Sequence, residues 1–256
     1  MLSTGVTLKT PKEYKAALYT ADKTFIKFYT FYAPLLHTNG PTKIWNLIPG
    51  RLYHYQAKDV NDTILEEGNI LPTGKLRTIF MEGVRNVRDL GGWTCYDEQG
   101  NEVGYIKYDR LYRGSRPEVT STDVRRPGGV TINDRYMMKE FINLGRELDL
   151  RESNSGDNGN YYMGSSATNS PFSVDTSTGK IPRVRQSCAS YWRAFDCIRW
   201  NEGDELNAIK SQFICLGYII ESLKKNESTY FHCAQGADRT AAIAMIVESL
   251  VGINDD

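Results

Sequence analysis

The chain has 256 residues, 40% hydrophobic and 24% charged, enough apolar side chain for one large domain or for a small domain joined to a medium one. Its 31 basic residues balance 31 acidic ones, so no overall field attracts a polyanion such as nucleic acid, and any positive site has to be local. The longest unbroken apolar run, Ala241 to Val247, is far short of the roughly 20 residues a membrane-spanning helix needs, which predicts a soluble chain without a transmembrane segment.

The opening residues Met1-Leu2-Ser3-Thr4-Gly5 lack the basic stretch and apolar core of a signal peptide, so a signal either never existed or has been removed. Through about Leu76 the pattern is that of strands. Thr24 to Tyr32 is dense in aromatic and β-branched residues, and Leu52 to Lys58 alternates with Tyr53, Tyr55 and Ala57 on one face. Asn39-Gly40-Pro41, Pro49-Gly50 and Asn61-Asp62 supply turns at short intervals, as in a small antiparallel sandwich. The expected first domain is an all-β module over residues 1–77. The segment Leu47-Ile48-Pro49-Gly50-Arg51-Leu52-Tyr53-His54-Tyr55 resembles the late-strand corner of fibronectin type III domains. That resemblance implies a tyrosine corner at Tyr53, its hydroxyl bonded back to nearby backbone in a structural role.

From about Thr78 helix-length periodic segments alternate with short apolar strands, which predicts an α/β domain over residues 78–256 with a central sheet flanked by helices. Thr131 with Asp134 three residues on reads as the start of a helix carrying Met138, Phe141 and Leu144 on one face and stopped by Gly145. A strand over Glu147 to Leu150 comes after it. Between Glu152 and Lys180, 18 of 29 residues are Ser, Thr, Asn or Gly, a long excursion that is either a tolerated surface insertion or a lid flanking the substrate. Leu206, Ile209, Phe213, Leu216, Ile220 and Leu223 are spaced as the apolar stripe of a helix over Asp204 to Lys225. A strand from Thr229 to His232 comes next. Ala241 to Val251 is apolar nearly all round, the pattern of a buried helix, with Gly252 as its stop.

Between that strand and that helix lies the chemistry. Tyr230-Phe231-His232-Cys233-Ala234-Gln235-Gly236-Ala237-Asp238-Arg239-Thr240 puts a cysteine at the end of a buried strand and an arginine six residues later, opening a helix. A five-residue turn closing onto a helix N-terminus can point successive N–H groups inward as a nest for a phosphate dianion, and Gly236 permits the tight backbone. On the floor of such a nest Cys233 becomes a thiolate nucleophile. Arg239 offers a planar fork for two phosphate oxygens, and Thr240 a hydroxyl to the sulfur. The expected phosphate-binding residues are therefore Ala234, Gln235, Gly236, Ala237, Asp238, Arg239 and Thr240, while His232 orients the loop. The five cysteines, odd in number and without a C-x-x-C pair, argue against a disulfide framework or a zinc knuckle. No motif implies a metal or organic cofactor.

These residues resemble the active-site loop of the protein tyrosine phosphatases, specifically the bacterial family whose loop reads His-Cys-x-x-Gly-x-Asp-Arg-Thr. Asn86-Val87-Arg88-Asp89-Leu90-Gly91-Gly92, Leu111-Tyr112-Arg113-Gly114 and Leu148-Asp149-Leu150-Arg151 resemble that family's other motifs in the same order. The resemblance runs from about Gly83 to the C-terminus. It implies hydrolysis of phosphate monoesters, phosphotyrosine in proteins above all, through a phosphocysteine intermediate. Two departures stand out: Ala237 where many members carry lysine, and Ala241 where they carry glycine. The lysine goes with phosphoinositide activity in relatives, so its absence weakens that alternative. A β-sandwich ahead of a phosphatase also resembles extracytoplasmic bacterial enzymes, which implies export.

Expelling an alkoxide or phenolate needs a proton donor. No Trp-Pro-Asp loop exists, and the candidates are Asp238 inside the loop, Asp149 in the Asp-Leu-Arg segment and Asp196. Against these roles, Asp238 could cap the helix, Asp149 could anchor Arg151 or the loop, and Asp196 could be a surface charge. Asn86, Arg88 and Asp89, beside two glycines, read as a structural turn against the catalytic sheet, and Arg113 is open between roles. A sulfur-transfer enzyme of rhodanese type and an inactive phosphate-binding module are the rival classes. The expected partner is a phosphorylated protein or small phosphomonoester.

Overall fold

The computed structural model describes residues 7–8, 15–20, 25–29, 42–43, 46–58, 61–117, 129–131, 134–135, 137–142, 144–151, 170–173, 181–186, 188 and 202–253. The chain divides into two compact units, Met1–Arg77 and Thr78–Asp256.

In the first unit β1 (Thr7–Leu8) pairs antiparallel with β4 (Thr42–Lys43), while β2 (Lys15–Thr20), β3 (Phe25–Tyr29), β5 (Tyr53–Lys58) and β6 (Ile64–Ile70) form an antiparallel sheet in the order β3-β2-β5-β6. The alternation expected of β5 is present, with Tyr53, Tyr55 and Ala57 all buried. His54 on its other face is also buried, its Nδ1 3.0 Å from Asn69 Oδ1. The Ile48 N–H donates to the Tyr53 hydroxyl at 3.1 Å, a short-range bond that fixes the corner preceding β5. Buried Arg77 donates from Nε and Nη2 to the Asn46 carbonyl at 3.1 and 2.8 Å. The expected turn at Asn39-Gly40-Pro41 lies outside the described residues.

The second unit is built on a six-stranded mixed sheet. Its members are β7 (Arg77–Thr78), at the boundary, β8 (Arg88–Asp89), β11 (Leu111–Ser115), β12 (Leu144–Asp149), β13 (Arg183–Arg185) and β14 (Ser228–Cys233), in the order β13-β12-β14-β11-β8-β7. Strands β11, β12 and β13 run parallel to their neighbours on the β14 side, and β8 is antiparallel to β11. A separate hairpin joins β9 (Thr94–Tyr96) and β10 (Glu102–Tyr105). Helices α1 (Glu202–Lys224) and α2 (Asp238–Leu250) cover one face, burying Leu148, Leu150, Phe231, Ile243 and Val247 with Leu216 and Ile219. The other face buries Tyr112, Met138, Leu144, Phe172 and Tyr230. Among the described residues no helix is long and apolar enough to cross a membrane.

Several expected elements take a different form. Thr131 and Asp134 do make the reciprocal cap, each backbone N–H donating to the other's side chain at 3.1 Å; Asp134 and Arg135 are α-helical, and Met137–Phe141 is a π-helical turn. Leu144 and Gly145 belong to β12. Gly145 is needed there because a Cβ would meet Glu227 Cβ at 2.7 Å, so it serves strand packing and does not stop a helix. A register shift between Leu144 and Arg146 explains why Leu144 lies in one core and Leu148 in the other. On α1 the buried face is Gln212, Cys215, Leu216, Ile219 and Ser222, whereas Ile209, Phe213, Ile220 and Leu223 are exposed. Helix α2 is likewise open on one side, at Met245 and Leu250. Within the segment expected as an excursion, Phe172 is fully buried, edge-on to Tyr230 with ring centroids 5.3 Å apart.

Candidate active site

Strand β14 is the central strand of the parallel part of the sheet, and all six of its residues are buried. Ser115 pairs with Cys233 and Asp149 with His232, so β11, β12 and β14 all end at one edge, and the turn 234–237 sits there before α2. Helix α2 has no side chain capping its N-terminus, which leaves its first amides to the site. Gly236 has φ +74°, and a Cβ there would come within 2.4 Å of the Gly114 carbonyl oxygen. The turn can close onto β11 only with glycine at that position.

Cys233 is 5% exposed. Burial works to raise its pKa, but hydrogen bonds from the Thr240 hydroxyl and from the amides of Thr240, Gly236 and Gln235 outweigh it, and the thiol is held below its ordinary value. The Cys233 N–H donates to Thr240 Oγ1 at 2.8 Å, which leaves the hydroxyl proton for the sulfur. Four donors thus converge on one sulfur.

Beneath the turn lies a charge cluster that the sequence reveals only in part. His232 is fully buried, with Nε2 2.7 Å from Glu147 Oε1 and Nδ1 3.0 Å from the Cys233 carbonyl oxygen. Both ring nitrogens face acceptors. Burial opposes the charge, yet Asp149 and Glu147 raise the imidazole pKa above its usual value, and a ring protonated on both nitrogens donates to Glu147 and to the Cys233 carbonyl. This is the orienting role expected of it. Glu147 also meets Arg183 at 3.2 Å. Asp149 receives Arg151 Nε at 2.8 Å, Arg183 Nη2 at 3.0 Å and Arg185 Nη2 at 3.0 Å. Despite its burial, His232 and these guanidiniums hold its carboxyl far below the usual range. A fully buried carboxylate so clamped favours the anchor of the two roles expected of Asp149: it holds Arg151, Arg183 and Arg185. Glu147, Arg183 and Arg185 are not singled out by the sequence. Glu147 is one of three charged residues in β12, with Arg146 and Asp149, and Arg183 and Arg185 alternate about Val184 in β13, so neither strand marks them out.

Asp238 and Arg239 open α2, both half-buried, while Gln235 and Ala237 are exposed on the turn. Asp89 forms the turn expected of it, its carboxylate accepting the N–H groups of Gly91 at 2.8 Å and Asp109 at 3.0 Å. Asn86 and Arg113 go further and touch the turn, with Asn86 Nδ2 3.1 Å and Arg113 Nη2 3.0 Å from the Gly236 carbonyl oxygen. Asp196 lies outside the described residues. Among the described residues no group of three or more His, Cys, Asp or Glu is placed to hold a metal ion, and the four cysteines described are free thiols.

A buried cysteine whose pKa is lowered by N–H donors at the mouth of an uncapped helix can, as its thiolate, attack an electrophilic phosphorus while the donors hold the oxygens around it. Comparison with known families matches the chain to a model described as the tyrosine phosphatase family, over residues 79–256. No curated protein matches the sequence.

Proposed function

The chain belongs to the tyrosine phosphatase family, and from that premise we propose that it hydrolyses phosphate monoesters through a phosphocysteine on Cys233. The observation that carries the proposal is the convergence of three amides and the Thr240 hydroxyl on the Cys233 sulfur.

In this mechanism the thiolate attacks phosphorus and an S–P bond forms as the P–O bond to the leaving group breaks. Inward amides of the turn and the Arg239 fork hold the equatorial oxygens. Asp238, one residue before that arginine, passes a proton to the leaving oxygen. Water then attacks the phosphocysteine, its proton goes to Asp238, and the S–P bond breaks while Thr240 donates its hydroxyl hydrogen to the departing thiolate. No step calls for a metal.

Ala237 brings no cation to the exposed rim of the turn, which favours aryl phosphates, phosphotyrosine before phosphoinositides or inositol phosphates. The first unit, with its Tyr53 to Ile48 corner, is read as a fibronectin type III-like module that positions the enzyme. Turnover of p-nitrophenyl phosphate in the presence of chelator, inhibited by vanadate, is expected of the full chain. No turnover, with vanadate still bound, identifies an inactive phosphate-binding module. A kcat/KM for phosphatidylinositol phosphates about tenfold above that for a phosphotyrosyl peptide reverses the substrate assignment.

Asp238→Asn is expected to slow alkyl phosphates about a hundredfold more than p-nitrophenyl phosphate, whose leaving group departs without a proton. The measurement is a plot of rate against leaving-group pKa. An unchanged slope in Asp238→Asn removes Asp238 from the acid role.

A further inference from the structure

The amides of the turn face inward because their carbonyls are held outward. In a trans peptide the C=O and the following N–H share one plane and point in opposite directions, and the described residues contain no cis peptide bond. The Cys233 carbonyl meets His232 Nδ1 at 3.0 Å, and the Ala234 carbonyl accepts the Arg116 N–H at 3.2 Å. The next two are held by side chains from elsewhere in the fold. Asn86 Nδ2 donates to the Gln235 carbonyl at 3.3 Å and the Gly236 carbonyl at 3.1 Å, and Arg113 Nη2 donates to the Gly236 carbonyl at 3.0 Å. Arg88 Nη2 in turn holds Asn86 Oδ1 at 2.6 Å, fixing the side-chain amide with its NH₂ toward the turn. Asn86 has φ +59°, a left-handed conformation that asparagine tolerates better than most residues.

We propose that Asn86 and Arg113, with Arg88 behind them, are positioning residues that aim the anion nest: by drawing the Gln235 and Gly236 carbonyls outward they turn the amides of Gly236 and Ala237 toward the sulfur and the phosphate. This rests on the thiolate reading of Cys233. Gln235 is exposed and Gly236 is conformationally free, so the turn has no other side-chain restraint at these two peptides among the contacts described. A peptide flip there would put a carbonyl oxygen against a thiolate.

The test separates the side chain of Asn86 from its backbone. Asn86→Gly keeps the left-handed turn and deletes the amide, and Asn86→Asp keeps the shape but has no N–H to donate. Cys233 alkylation by iodoacetamide is followed against pH, together with vanadate inhibition and thermal melting. The charged groups of the surrounding elements stay the same in Asn86→Gly: Arg113 on β11 with Arg88 and Glu248 near it, His232 with Glu147 and Asp149, and Asp238 and Arg239 on α2. The expected result is an alkylation midpoint about one pH unit higher and vanadate binding about tenfold weaker in both variants. Arg88→Ala, at an exposed position, should move both in the same direction by less. Wild-type midpoints and vanadate inhibition in folded Asn86→Gly and Arg88→Ala overturn the proposal, since a merely structural turn is satisfied by glycine. A wild-type protein that itself alkylates with a midpoint near the free-thiol value of about 8.5 overturns the thiolate reading, and the clamp with it.

Discussion

Replacing Cys233 with serine is expected to reduce turnover by about four orders of magnitude or more while leaving oxyanion binding in place. The two halves of this outcome come from different parts of the site. A serine hydroxyl in the same position does not ionise near neutral pH, so the attacking species disappears. The amides of Gln235, Gly236 and Thr240 and the Thr240 hydroxyl, which converge on the sulfur, are fixed by the turn and by α2, and they remain. Vanadate or phosphate should therefore bind the variant as well as the parent protein. A serine is nearly isosteric with cysteine, so the urea midpoint should shift by less than the equivalent of about 1 kcal/mol. Persistent turnover in Cys233→Ser would refute the nucleophile assignment. Loss of both turnover and oxyanion binding in a folded variant would show that the nest depends on the sulfur.

The second large effect is on stability. Asp149→Asn is expected to destabilise the phosphatase unit by about 3–5 kcal/mol, the range found when one member of a buried ion pair is removed. Asp149 and Arg151 are 0% and 1% exposed in their side chains, and Arg183 only 4%. The asparagine would leave these guanidiniums buried around a neutral amide, with little solvent to screen them. That is a large part of the roughly 5–15 kcal/mol by which a typical domain is stable. Urea unfolding at neutral pH measures it. Asp238→Asn, half-exposed at the helix start, should by contrast shift stability by less than about 0.5 kcal/mol. If the two variants unfold at the same urea concentration, Asp149 does not anchor the sheet edge. The same cluster sets the pH profile. The depressed carboxyl of Asp149 contributes stability that is complete above the ordinary carboxylate range and is lost as pH falls through its folded value. The raised imidazole of His232 contributes stability that is complete below its unfolded pKa of about 6.5 and is lost as pH rises toward its folded value, at up to about 1.4 kcal/mol per pH unit. His232→Asn should remove that alkaline slope.

Which of these residues can be read in the sequence depends on how local their interactions are. The strand ending at Cys233, the glycine of the turn and the helix after it are consecutive in the chain, so spacing alone locates them. Tyr53 and its bond to Ile48, five residues away, are as local, and there it is the segment's resemblance to a fibronectin type III corner that implies the bond. His232, Glu147 and Arg183 meet only because β14, β12 and β13 lie side by side in register, and no spacing rule relates residues so far apart in the chain. Asp149 shows the consequence. Its place in the Asp-Leu-Arg segment fits an acid or an anchor equally well, and only the guanidiniums brought in from β13 distinguish the two. Asn86 reads as part of a turn, but its partners Gln235 and Gly236 lie 149 and 150 positions away. The stripe expected on α1 differs from its buried face because apolar periodicity reports which faces can be buried, whereas packing against the sheet decides which one is.

The phosphocysteine can be observed directly. The 256-residue chain mixed with a ³²P-labelled aryl phosphate and quenched in acid within the first turnovers should carry label on a single peptide containing Cys233, and Cys233→Ser should carry none. Turnover of the same substrate with no label on Cys233, or with label on another residue, would contradict the account.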